Sequence, residues 1–491
     1  MTRPVVWAIG GSDSGGGAGL QADIRTIHGL GAHACTIVSA VTAQNSCGVE
    51  GIWPVPIDSI AAQWRALQAD LPPAVVKIGM IPSADHVRAL ASLIAGYAIP
   101  IVLDPVLRAS AGGALADDAA RAAIVRELLP LVDVVTPNLD EASALLGRQP
   151  LLTPASIEAA AREIAAFGPN AVVIKGGHGS GPLAQECVFH RDRVFWLSNH
   201  RLSSRNTHGT GCTFASAIAA AIAGGLTVVD AVVVAKMFVT RAIRNSYSAG
   251  SGSGPVAQGT WPEEEADLPW LTATAEGAAE RPSFQRLERP LGVYAIVDSA
   301  PWVERLARSE VGAIQLRAKS LQGDALRDEI ARAIRIAADA RVPLFINDCW
   351  WLAIELGAHG VHLGQEDLDT ADVAAIEAAG LRLGVSTHCY EEVARAHALR
   401  PSYIAIGPIF ETKIKVMKFA PQGVAALRRW RQTLSSYPLV AVGGIDSSNV
   451  SDVAATGVDS IAAIRAITQA TDPLAAVRDL ADRIMPSDSS T

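Results

Sequence analysis

Eight short apolar segments recur in the second half of the chain, most of them separated by stretches with a helical pattern. They are GVYAIVD (292–298), AIQLRAK (313–319), PLFIND (343–348), GVHLG (360–364), LGVST (383–387), YIAIGPIF (403–410), LVAVGGI (439–445) and SIAAI (460–464). Eight β/α units in about 200 residues predict a closed barrel of parallel strands, the (β/α)8 or TIM barrel. Several of the segments end in polar residues or glycine, and active sites of such barrels lie at the carboxyl ends of the strands.

The first half alternates runs rich in Val and Ile with Ala-rich helical segments. The runs are VVWAIGG (5–11), CTIVSAVTA (35–43), VVKIGM (75–80), PIVLDPV (100–106), DVVTPN (133–138) and AVVIKGG (171–177). Continuous apolar strands between helices predict a parallel sheet covered on both faces, an α/β sandwich of three layers. The segments ECVFH (186–190) and RVFWL (193–197) predict a hairpin added at one edge of that sheet.

Between the two halves the composition changes. From 248 to 288 Gly, Ser, Pro and Glu dominate and the hydrophobic periodicity is lost. A chain of 491 residues is long enough for at least two domains. We therefore predict a first domain at 1–262, a linker at 263–288 and a second domain at 289–491.

Charge, cysteines and hydropathy exclude several classes of protein. The net charge is -8 and no run of Lys and Arg occurs, which argues against nucleic-acid binding. The six cysteines form no CxxC pair, so we expect neither a zinc ribbon nor a disulfide framework, and a reducing cytoplasmic setting. The sequence shows no signal peptide and no apolar run long enough to span a bilayer, so no membrane partner is expected.

Two glycine-rich motifs in the first half point to an anion site. GGSDSGGGAGLQAD (10–23) lacks the GK[ST] ending of a P-loop. NTHGTGCTFASAIAAAI (206–222) places GTG at the start of an apolar helix, where free N–H groups favour a phosphoryl group. Cys212 lies at this helix terminus, where the pKa of a thiol tends to fall, and could take a proton from an attacking hydroxyl. Plain alternatives are an ordinary strand-to-helix turn and a small apolar Cys212.

With further segments, these motifs carry a family resemblance. The segments are VTAQN (41–45), KIGM (77–80), VLDPV (102–106), TPNLDEA (136–142), VIKGGH (173–178) and HGTGCT (208–213). Over roughly residues 3–262 the chain resembles the ribokinase-like superfamily, specifically the hydroxymethylpyrimidine/phosphomethylpyrimidine kinases, with pyridoxal kinases as the nearest alternative. The resemblance implies a ribokinase-like three-layer sandwich, ATP as phosphoryl donor and Mg²⁺.

The same resemblance implies roles for individual residues. Pyrimidine contacts would come from Gly11, Ala18, Asp23, Gln44 and Met80. Asp104 and Glu141 would organise Mg²⁺, assisted by Asn138. The catalytic group would comprise the nucleotide-phosphate contact Lys175 and the helix start Gly209, Thr210, Gly211 and Cys212.

Charged residues of both signs follow the barrel strands. Arg317 and Lys319 lie near Asp348 and Asp367 in this pattern, a combination that suits a phosphate ester bound with Mg²⁺. Gly443–Gly444 and Ala463–Ile464 follow the last two strands, where such barrels commonly bind phosphate. Taken singly, each ion has the alternative of being a solvated loop charge.

The second half resembles thiamine-phosphate synthase over about residues 290–488. The motifs are QLRAK (315–319), FIND (345–348), GVHLGQEDL (360–368), GVSTH (384–388), YIAIGPIFETKIK (403–415), APQG (420–423) and AVGGI (441–445). The resemblance implies Mg²⁺ ligands at Asp348 and Asp367, and substrate contacts at Gln315, Arg317, Lys319, Asn347, Ser386, Thr412, Lys415, Gly444, Ala463 and Ile464. The loop FETKIK departs from the family's usual F-P-T-x-T-K at Glu411 and Ile414.

Together the two resemblances predict one bifunctional enzyme of thiamine biosynthesis. The first half would phosphorylate hydroxymethylpyrimidine and then its monophosphate with ATP. The second half would join the resulting diphosphate to the thiazole phosphate. Two alternatives remain open: a pyridoxal-type kinase fused to the synthase, and a half that has become a binding module. The partners expected are small-molecule substrates and, from the family resemblance only, a second copy of the chain in a homo-oligomer.

Overall fold

Two compact units make up the chain. The computed structural model describes residues 3–107, 117–177, 179, 181–411 and 419–484. One unit comprises Met1–Pro262 and Asp267–Ala279, and the other comprises Glu263–Ala266 and Glu280–Thr491. Within the described ranges no helix is both long and apolar enough to cross a membrane.

The first unit contains a sheet of ten described strands. These are β1 (Val5–Asp13), β2 (His33–Asn45), β3 (Gly48–Pro54), β4 (Val75–Ile78), β5 (Ile101–Leu103), β6 (Val134–Val135), β7 (Ala171–Lys175), β8 (Leu183–His190), β9 (Arg193–His200) and β10 (Trp270–Thr272). Their order is β10-β9-β8-β7-β6-β5-β4-β1-β2-β3. The central strands β2, β1, β4, β5, β6 and β7 are parallel, and β3, β8, β9 and β10 add antiparallel pairs.

Helices cover this sheet and confirm the predicted sandwich of three layers. They are α1 (Gly19–Gly29), α2 (Ile57–Asp70), α3 (Ala84–Ile94), α4 (Asp118–Ala123), α5 (Leu139–Leu146), α6 (Pro154–Ala165), α7 (Thr210–Ala223) and α8 (Val228–Arg244). On one face Trp7 of β1 packs edge-on against Trp64 of α2, with ring centroids 5.0 Å apart. The same core includes Leu90 of α3 and Ile164 of α6. Helices α1 and α7 pack together and contact β1.

The predicted linker at 263–288 contains regular structure, which corrects that expectation. Strand β10 pairs with β9, Leu271 standing opposite Leu197, so the hairpin β8–β9 is not the edge of the sheet. The side chains of Trp270 and Leu271 in β10 are buried. Further along, Phe284 is buried in the second unit and its N–H donates to the carbonyl of Arg400.

The second unit is the predicted (β/α)8 barrel. Its strands are β11 (Gly292–Val297), β12 (Ala313–Leu316), β13 (Leu344–Asn347), β14 (Gly360–Leu363), β15 (Arg382–Thr387), β16 (Tyr403–Ile406), β17 (Leu439–Val442) and β18 (Ser460–Ala463), all parallel and closed in that order. Its helices are α9 (Ala300–Leu306), α10 (Gly323–Ala340), α11 (Trp350–Glu355), α12 (Gln365–Leu368), α13 (Val373–Ala378), α14 (Tyr390–Leu399), α15 (Gly423–Thr433), α16 (Val450–Ala454), α17 (Arg465–Thr468) and α18 (Pro473–Ile484).

Large rings and small residues alternate inside the barrel. Tyr294, Phe345 and Tyr403 meet edge to face with centroids 5.3 to 5.8 Å apart. Gly384 faces Tyr403, and a Cβ at Gly384 would lie 2.0 Å from the ring carbon Cζ. A glycine at 384 is therefore needed to make room for the tyrosine. This packing fills the barrel and leaves its carboxyl-terminal mouth as the place for a ligand.

Candidate active sites

The first glycine motif forms a tight turn between β1 and α1. The carboxylate of Asp13 accepts hydrogen bonds from the N–H groups of Gly15 (2.8 Å), Gly17 (3.0 Å) and Ala18 (2.8 Å). Burial disfavours the charge of Asp13, but its hydrogen bonds to His208 and to backbone N–H groups outweigh burial and lower its pKa. An ionised Asp13 therefore holds the turn in one shape.

The second glycine motif lies against the first. The ring Nε2 of His208 is 3.1 Å from Asp13 Oδ2 and 3.2 Å from Gln44 Nε2. A Cβ on Gly17 would lie 2.3 Å from the His208 ring, and a Cβ on Gly209 would lie 2.0 Å from the carbonyl oxygen of Gly17. The sequence patterns gave no role to Asp13 or His208, although both lie inside the two glycine motifs.

Gly209 is the N-cap residue before α7 and has the left-handed conformation, with φ of 85°, and Thr210 and Cys212 follow in the first turn of the helix. Thr210 donates its hydroxyl proton to the carbonyl of Thr207. Burial raises the pKa of the Cys212 thiol to about 12, an effect that the positive charge of Lys77 only partly offsets. The expectation of a lowered thiol pKa is therefore wrong, because loss of solvent outweighs the effect of the helix terminus.

Two carboxylates and a lysine meet beside this helix start. Lys175 Nζ lies 2.7 Å from Asp104 Oδ1, and a Cβ on Gly211 would be 3.3 Å from Lys175 Nζ and 3.4 Å from Asp104 Oδ2. Burial and the charge of Asp104 raise the pKa of Glu141 to about 7, although Lys175 opposes this. Glu141 and Asn138 also form a reciprocal cap at the start of α5. The structure thus brings Asp104, Glu141, Lys175 and the start of α7 together.

Most of the predicted pyrimidine contacts cluster near the glycine turn. A Cβ on Gly11 would lie 2.9 Å from the sulfur of Met80, and Ala18 and Gln44 belong to the hydrogen-bonded group around Asp13. Asp23 differs from this expectation. Its side chain is 1 % exposed, because Lys77 Nζ bonds both of its oxygens at 2.9 Å and Ser216 donates to Oδ1 at 2.7 Å. Asp23 is therefore buried with its carboxylate already paired inside the protein.

At the mouth of the barrel a second pair of carboxylates meets a lysine. Lys319 forms an ion pair with Asp348, and Asn347 Nδ2 donates to Asp348 Oδ1 at 2.7 Å. Asp348 has a positive φ of 61°, unusual for a residue with a side chain. These residues and Asp367 line a cavity of about 270 Å³ after the ends of β12 and β13. The buried Oδ1 of Asn347 has no hydrogen-bond partner within the described residues.

The carboxylates of Asp348 and Asp367 are within hydrogen-bonding reach of each other. Burial and the neighbouring Asp348 raise the pKa of Asp367. Two acids held this close repel each other when both are ionised, and a divalent cation relieves that repulsion. Among the described residues no group of three His, Cys, Asp or Glu side chains gathers as a metal site. Two carboxylates with ligand phosphates is an arrangement that Mg²⁺ commonly uses, so both acid pairs fit this ion.

The other predicted synthase residues lie at strand ends around the same mouth. Arg317 follows β12, and Ala463 and Ile464 stand where β18 leads into α17. Gly444 follows β17 with φ of 67°, and a Cβ there would be 2.7 Å from the carbonyl oxygen of Glu411. Thr412 and Lys415 lie outside the described residues.

Gln315 and Ser386 are joined by a hydrogen-bonded chain inside the barrel. Gln315 Nε2 donates to Tyr294 at 3.0 Å, the hydroxyls of Tyr294 and Tyr403 are 2.9 Å apart, and Tyr403 is 2.7 Å from His362 Nδ1. His362 Nε2 lies 2.8 Å from the Ser386 hydroxyl. Burial lowers the pKa of His362 to about 4. The strand pattern places these side chains on one face, but it does not reveal this chain of contacts.

Comparison with known proteins decides the family. A probable thiamine biosynthetic bifunctional enzyme of Oryza sativa is 36% identical over 469 residues, covering 93% of this chain and 84% of the rice protein. The chain belongs to the family of bifunctional thiamine biosynthetic enzymes. The Arabidopsis thaliana member is 34% identical over 462 residues. The names of both plant relatives describe them as chloroplastic.

Each half of this bifunctional enzyme also matches a separate family. The phosphomethylpyrimidine kinase model covers residues 13–257, and the thiamine monophosphate synthase model covers residues 293–467. A hydroxymethylpyrimidine/phosphomethylpyrimidine kinase of Streptomyces coelicolor is 44% identical over 53% of this chain and 96% of its own length. A thiamine-phosphate synthase of Neisseria meningitidis is 53% identical over 38% of this chain and 91% of its own length.

A solved kinase supports the fold of the first half. The Staphylococcus aureus pyridoxal kinase in complex with ADP is 28% identical, with a TM-score of 0.51, over 55% of this chain and 98% of its own. The ribokinase-like sandwich and the TIM barrel predicted from the sequence are thereby confirmed. The bifunctional enzyme accordingly has hydroxymethylpyrimidine/phosphomethylpyrimidine kinase and thiamine-phosphate synthase activities.

Proposed function

We propose that the first unit phosphorylates 4-amino-5-hydroxymethyl-2-methylpyrimidine and then its monophosphate with ATP. The second unit joins the resulting diphosphate to 4-methyl-5-(2-phosphoethyl)thiazole and releases pyrophosphate. One observation carries this proposal: each unit holds its own carboxylate pair beside a lysine, Asp104 and Glu141 with Lys175 in one and Asp348 and Asp367 with Lys319 in the other.

In the kinase unit, phosphoryl transfer needs positive charge around the moving group. Lys175 lies next to the start of α7, where the N–H groups after Gly209 have no partner within the helix. These groups are suited to the charge that develops on the transferred phosphoryl oxygens. Cys212, in the same turn, is placed to accept the proton of the attacking hydroxymethyl group. Gln44 supplies an amide for the aminopyrimidine edge.

Magnesium is the proposed cofactor of both units. Bound at either carboxylate pair, it would neutralise phosphate charge and orient the phosphate oxygens. Asp104 and Glu141 would hold it in the kinase, and Asp348 and Asp367 in the synthase. The raised pKa values of Glu141 and Asp367 support this assignment, because each carboxylate is buried and lies close to another acid.

In the synthase unit, the reaction breaks the bond between the pyrimidine methylene carbon and the diphosphate oxygen. Arg317, Lys319 and Asn347 are proposed to hold the departing pyrophosphate, joined by Lys415 on the strength of the family resemblance. Gly444, Ala463 and Ile464 with Thr412 are proposed to bind the thiazole phosphate. The cavity beside Asn347 and Asp348 supports a pyrophosphate site between β12 and β13.

A single assay tests both units. The intact chain is incubated with Mg²⁺, ATP, the hydroxymethylpyrimidine and the thiazole phosphate, and thiamine phosphate is measured by mass spectrometry. Product from this mixture supports both assignments. Product only after addition of the pyrimidine diphosphate would disprove the kinase assignment, and no product even then would disprove the synthase assignment.

A pyridoxal kinase is the second candidate for the first unit. It is favoured by the likeness to the Staphylococcus aureus pyridoxal kinase. The kinase rate is measured with each substrate alone and in competition. A kcat/KM for the hydroxymethylpyrimidine at least tenfold above that for pyridoxal supports the first candidate, and the reverse ratio supports the second.

The setting and assembly of the chain are also proposals. The six cysteines form no CxxC pair, which supports a reducing cytoplasmic compartment. A homo-oligomer is proposed from the family resemblance alone. Light scattering coupled to size-exclusion chromatography tests the oligomeric state, and cell fractionation tests the compartment.

A further inference from the structure

The barrel interior holds a line of five polar groups, and the roles given to its end residues Gln315 and Ser386 leave the three between them unexplained. The line runs from Gln315 through Tyr294, Tyr403 and His362 to Ser386, with every step between 2.7 and 3.0 Å. The first four residues are at most 7 % exposed. Polar groups buried this deeply are costly unless each is paired, and apolar side chains could fill the same space. The arrangement therefore calls for a function.

The two ends of the line fix the direction of its hydrogen bonds. The Gln315 amide nitrogen can only donate, so the Tyr294 oxygen accepts its proton. Every hydroxyl proton in the line finds an acceptor when Tyr294 donates to Tyr403 and Tyr403 donates to His362 Nδ1. A proton on Nδ1 would leave one of the tyrosine protons without an acceptor in the line. His362 is therefore protonated on Nε2, and that N–H donates to the Ser386 oxygen.

This direction determines what the Ser386 hydroxyl can do with its own proton. Its oxygen is occupied as an acceptor by His362, so its own O–H is left to donate toward the mouth of the barrel. We propose that Tyr294, Tyr403 and His362 are positioning residues that hold the Ser386 hydroxyl as a hydrogen-bond donor to the departing diphosphate. The inference rests on the proposed synthase function and extends it to residues deep in the barrel.

The chemistry of the reaction explains the need for a fixed donor. When the bond between the methylene carbon and the diphosphate oxygen breaks, the electron pair stays on that oxygen. The thiazole nitrogen then forms the new bond with its lone pair, and no proton has to be transferred. A donor that is already oriented stabilises the new negative charge without reorganising, whereas a freely rotating hydroxyl does not.

The test compares three tyrosine-to-phenylalanine variants in the full chain. Tyr403→Phe and Tyr294→Phe interrupt the line, and Tyr437→Phe is the matched control. Tyr437 is a buried tyrosine whose hydroxyl is 3.0 Å from His397 Nδ1, a similar pair that lies before β17 and outside the line. Each variant is assayed with supplied pyrimidine diphosphate, and urea unfolding of the same sample reports on folding of the barrel.

We expect Tyr403→Phe to lower the synthase kcat by about 10 to 100 times with KM changed by less than about threefold, a loss below that of removing a whole oxyanion donor. In the Ser386→Ala background, adding Tyr403→Phe should lower kcat no further, since both substitutions remove the same hydrogen-bond donor. Tyr437→Phe should keep the wild-type kcat. Unchanged kcat in Tyr403→Phe, or losses that multiply in the double variant, would overturn the proposal.

Nitrogen-15 NMR of labelled histidine gives a second readout that needs no catalysis. The proposal requires the Nε2–H form of His362 in the wild type and a mixture of the two neutral forms in Tyr403→Phe. A wild-type Nδ1–H form contradicts it. Because this measurement is independent of turnover, absence of thiamine phosphate synthesis would reject the proposed function while the NMR result still judges the hydrogen-bonded line.

Discussion

Lys77 and Asp23 form a closed ion pair in the first unit, with the ammonium nitrogen 2.9 Å from both carboxylate oxygens and each side chain only 1 % exposed. Burial disfavours the charge on Lys77, but the nearby carboxylate outweighs this and raises its pKa. Gly79 lies directly beside the ammonium group, since a Cβ there would be 2.8 Å from Nζ. The pair joins α1 to β4.

Breaking this pair should destabilise the first unit strongly. In Lys77→Met the carboxylate of Asp23 stays buried without its counter-charge, so the free energy of unfolding should fall by about 3–5 kcal/mol. Arg88→Ala is the control, because Arg88 and Asp85 form an exposed pair and should contribute at most about 1 kcal/mol. Urea unfolding measures both. A loss in Lys77→Met as small as in Arg88→Ala would contradict the importance of the buried pair.

Cys212→Ala should lower the kinase kcat by about 10² to 10⁴ times, the range for loss of a general base. Synthesis of thiamine phosphate from supplied diphosphate should be unchanged. Since the pKa of the Cys212 thiol is about 12, the thiolate fraction grows tenfold per pH unit below that value. The wild-type kcat/KM should therefore rise with pH from 6 to 9, and the variant should lose this slope. Cys47→Ala, at an exposed cysteine, serves as the control. An unchanged rate of phosphoryl transfer in Cys212→Ala would exclude Cys212 as the base.

Asp348→Asn should abolish at least about 99 % of synthase turnover, because one of two cation-holding carboxylates is lost, while kinase turnover stays. Mg²⁺ should raise the unfolding temperature of the barrel in the wild type but not in this variant. The neighbouring exposed Asp369, paired with Arg395 at 2.7 Å, provides Asp369→Asn as control. Calorimetry and a pyrophosphate-release assay give the two readouts. Synthesis that persists in Asp348→Asn would refute the metal assignment.

Truncation should show whether the segment after 262 belongs to the kinase. A fragment of residues 1–279 keeps β10 on the edge of the sheet, whereas a fragment of residues 1–262 exposes β9 as an unpaired edge. We expect the longer fragment to be monodisperse and active, and the shorter one to aggregate. Cleavage engineered between 279 and 280 should leave both activities. Equal behaviour of the two fragments in size exclusion would contradict a role for β10.

The stability of the barrel should fall in acid because of buried histidines. Burial, with the nearby charges of Arg281 and Arg400, lowers the pKa of His397 to about 3, below the ordinary value near 6.5. Between these values the unfolded chain binds a proton that the folded chain refuses, so stability rises with pH by up to about 1.4 kcal/mol per unit. In His397→Asn the urea midpoint should depend less on pH between 4 and 6.5. A pH dependence that is unchanged in His397→Asn would contradict this account.

The sequence predicts the barrel strands well because each is a short apolar run between helices, and the structure confirms all eight. Strand β10 is missed, since three residues in a Pro- and Glu-rich segment show no alternation. Its conformation depends on β9, which precedes it by about 70 residues along the chain. A pattern in one segment cannot reveal a partner that only the fold supplies.

In the candidate sites, too, the sequence predicts some features and misses others. Asp104 and Asp348 each follow the end of a strand, whereas Glu141 lies in α5 and Asp367 in α12. The family resemblance predicts both carboxylate pairs, and the structure brings each pair together. The hydroxyl contact between Tyr294 and Tyr403 spans 109 residues, and strand periodicity gives the face of a side chain but not its height in the barrel. The pKa of Cys212 is missed because the helix-terminus rule describes a local field, whereas burial depends on the whole surroundings.

The contact between Gly17 and Gly209 also limits how this enzyme can change during evolution. Each turn occupies the volume that a side chain on the other would need, and Asp13 and His208 join them across 195 positions. A substitution at Gly209 finds no compensating side-chain change in the first turn, because the obstacle there is the main chain of Gly17, whereas a substitution at Gly17 would require a smaller residue in place of the buried His208 ring. The two motifs can be inherited only as a matched set, so homologues that recombine between them would have to keep both halves from compatible parents.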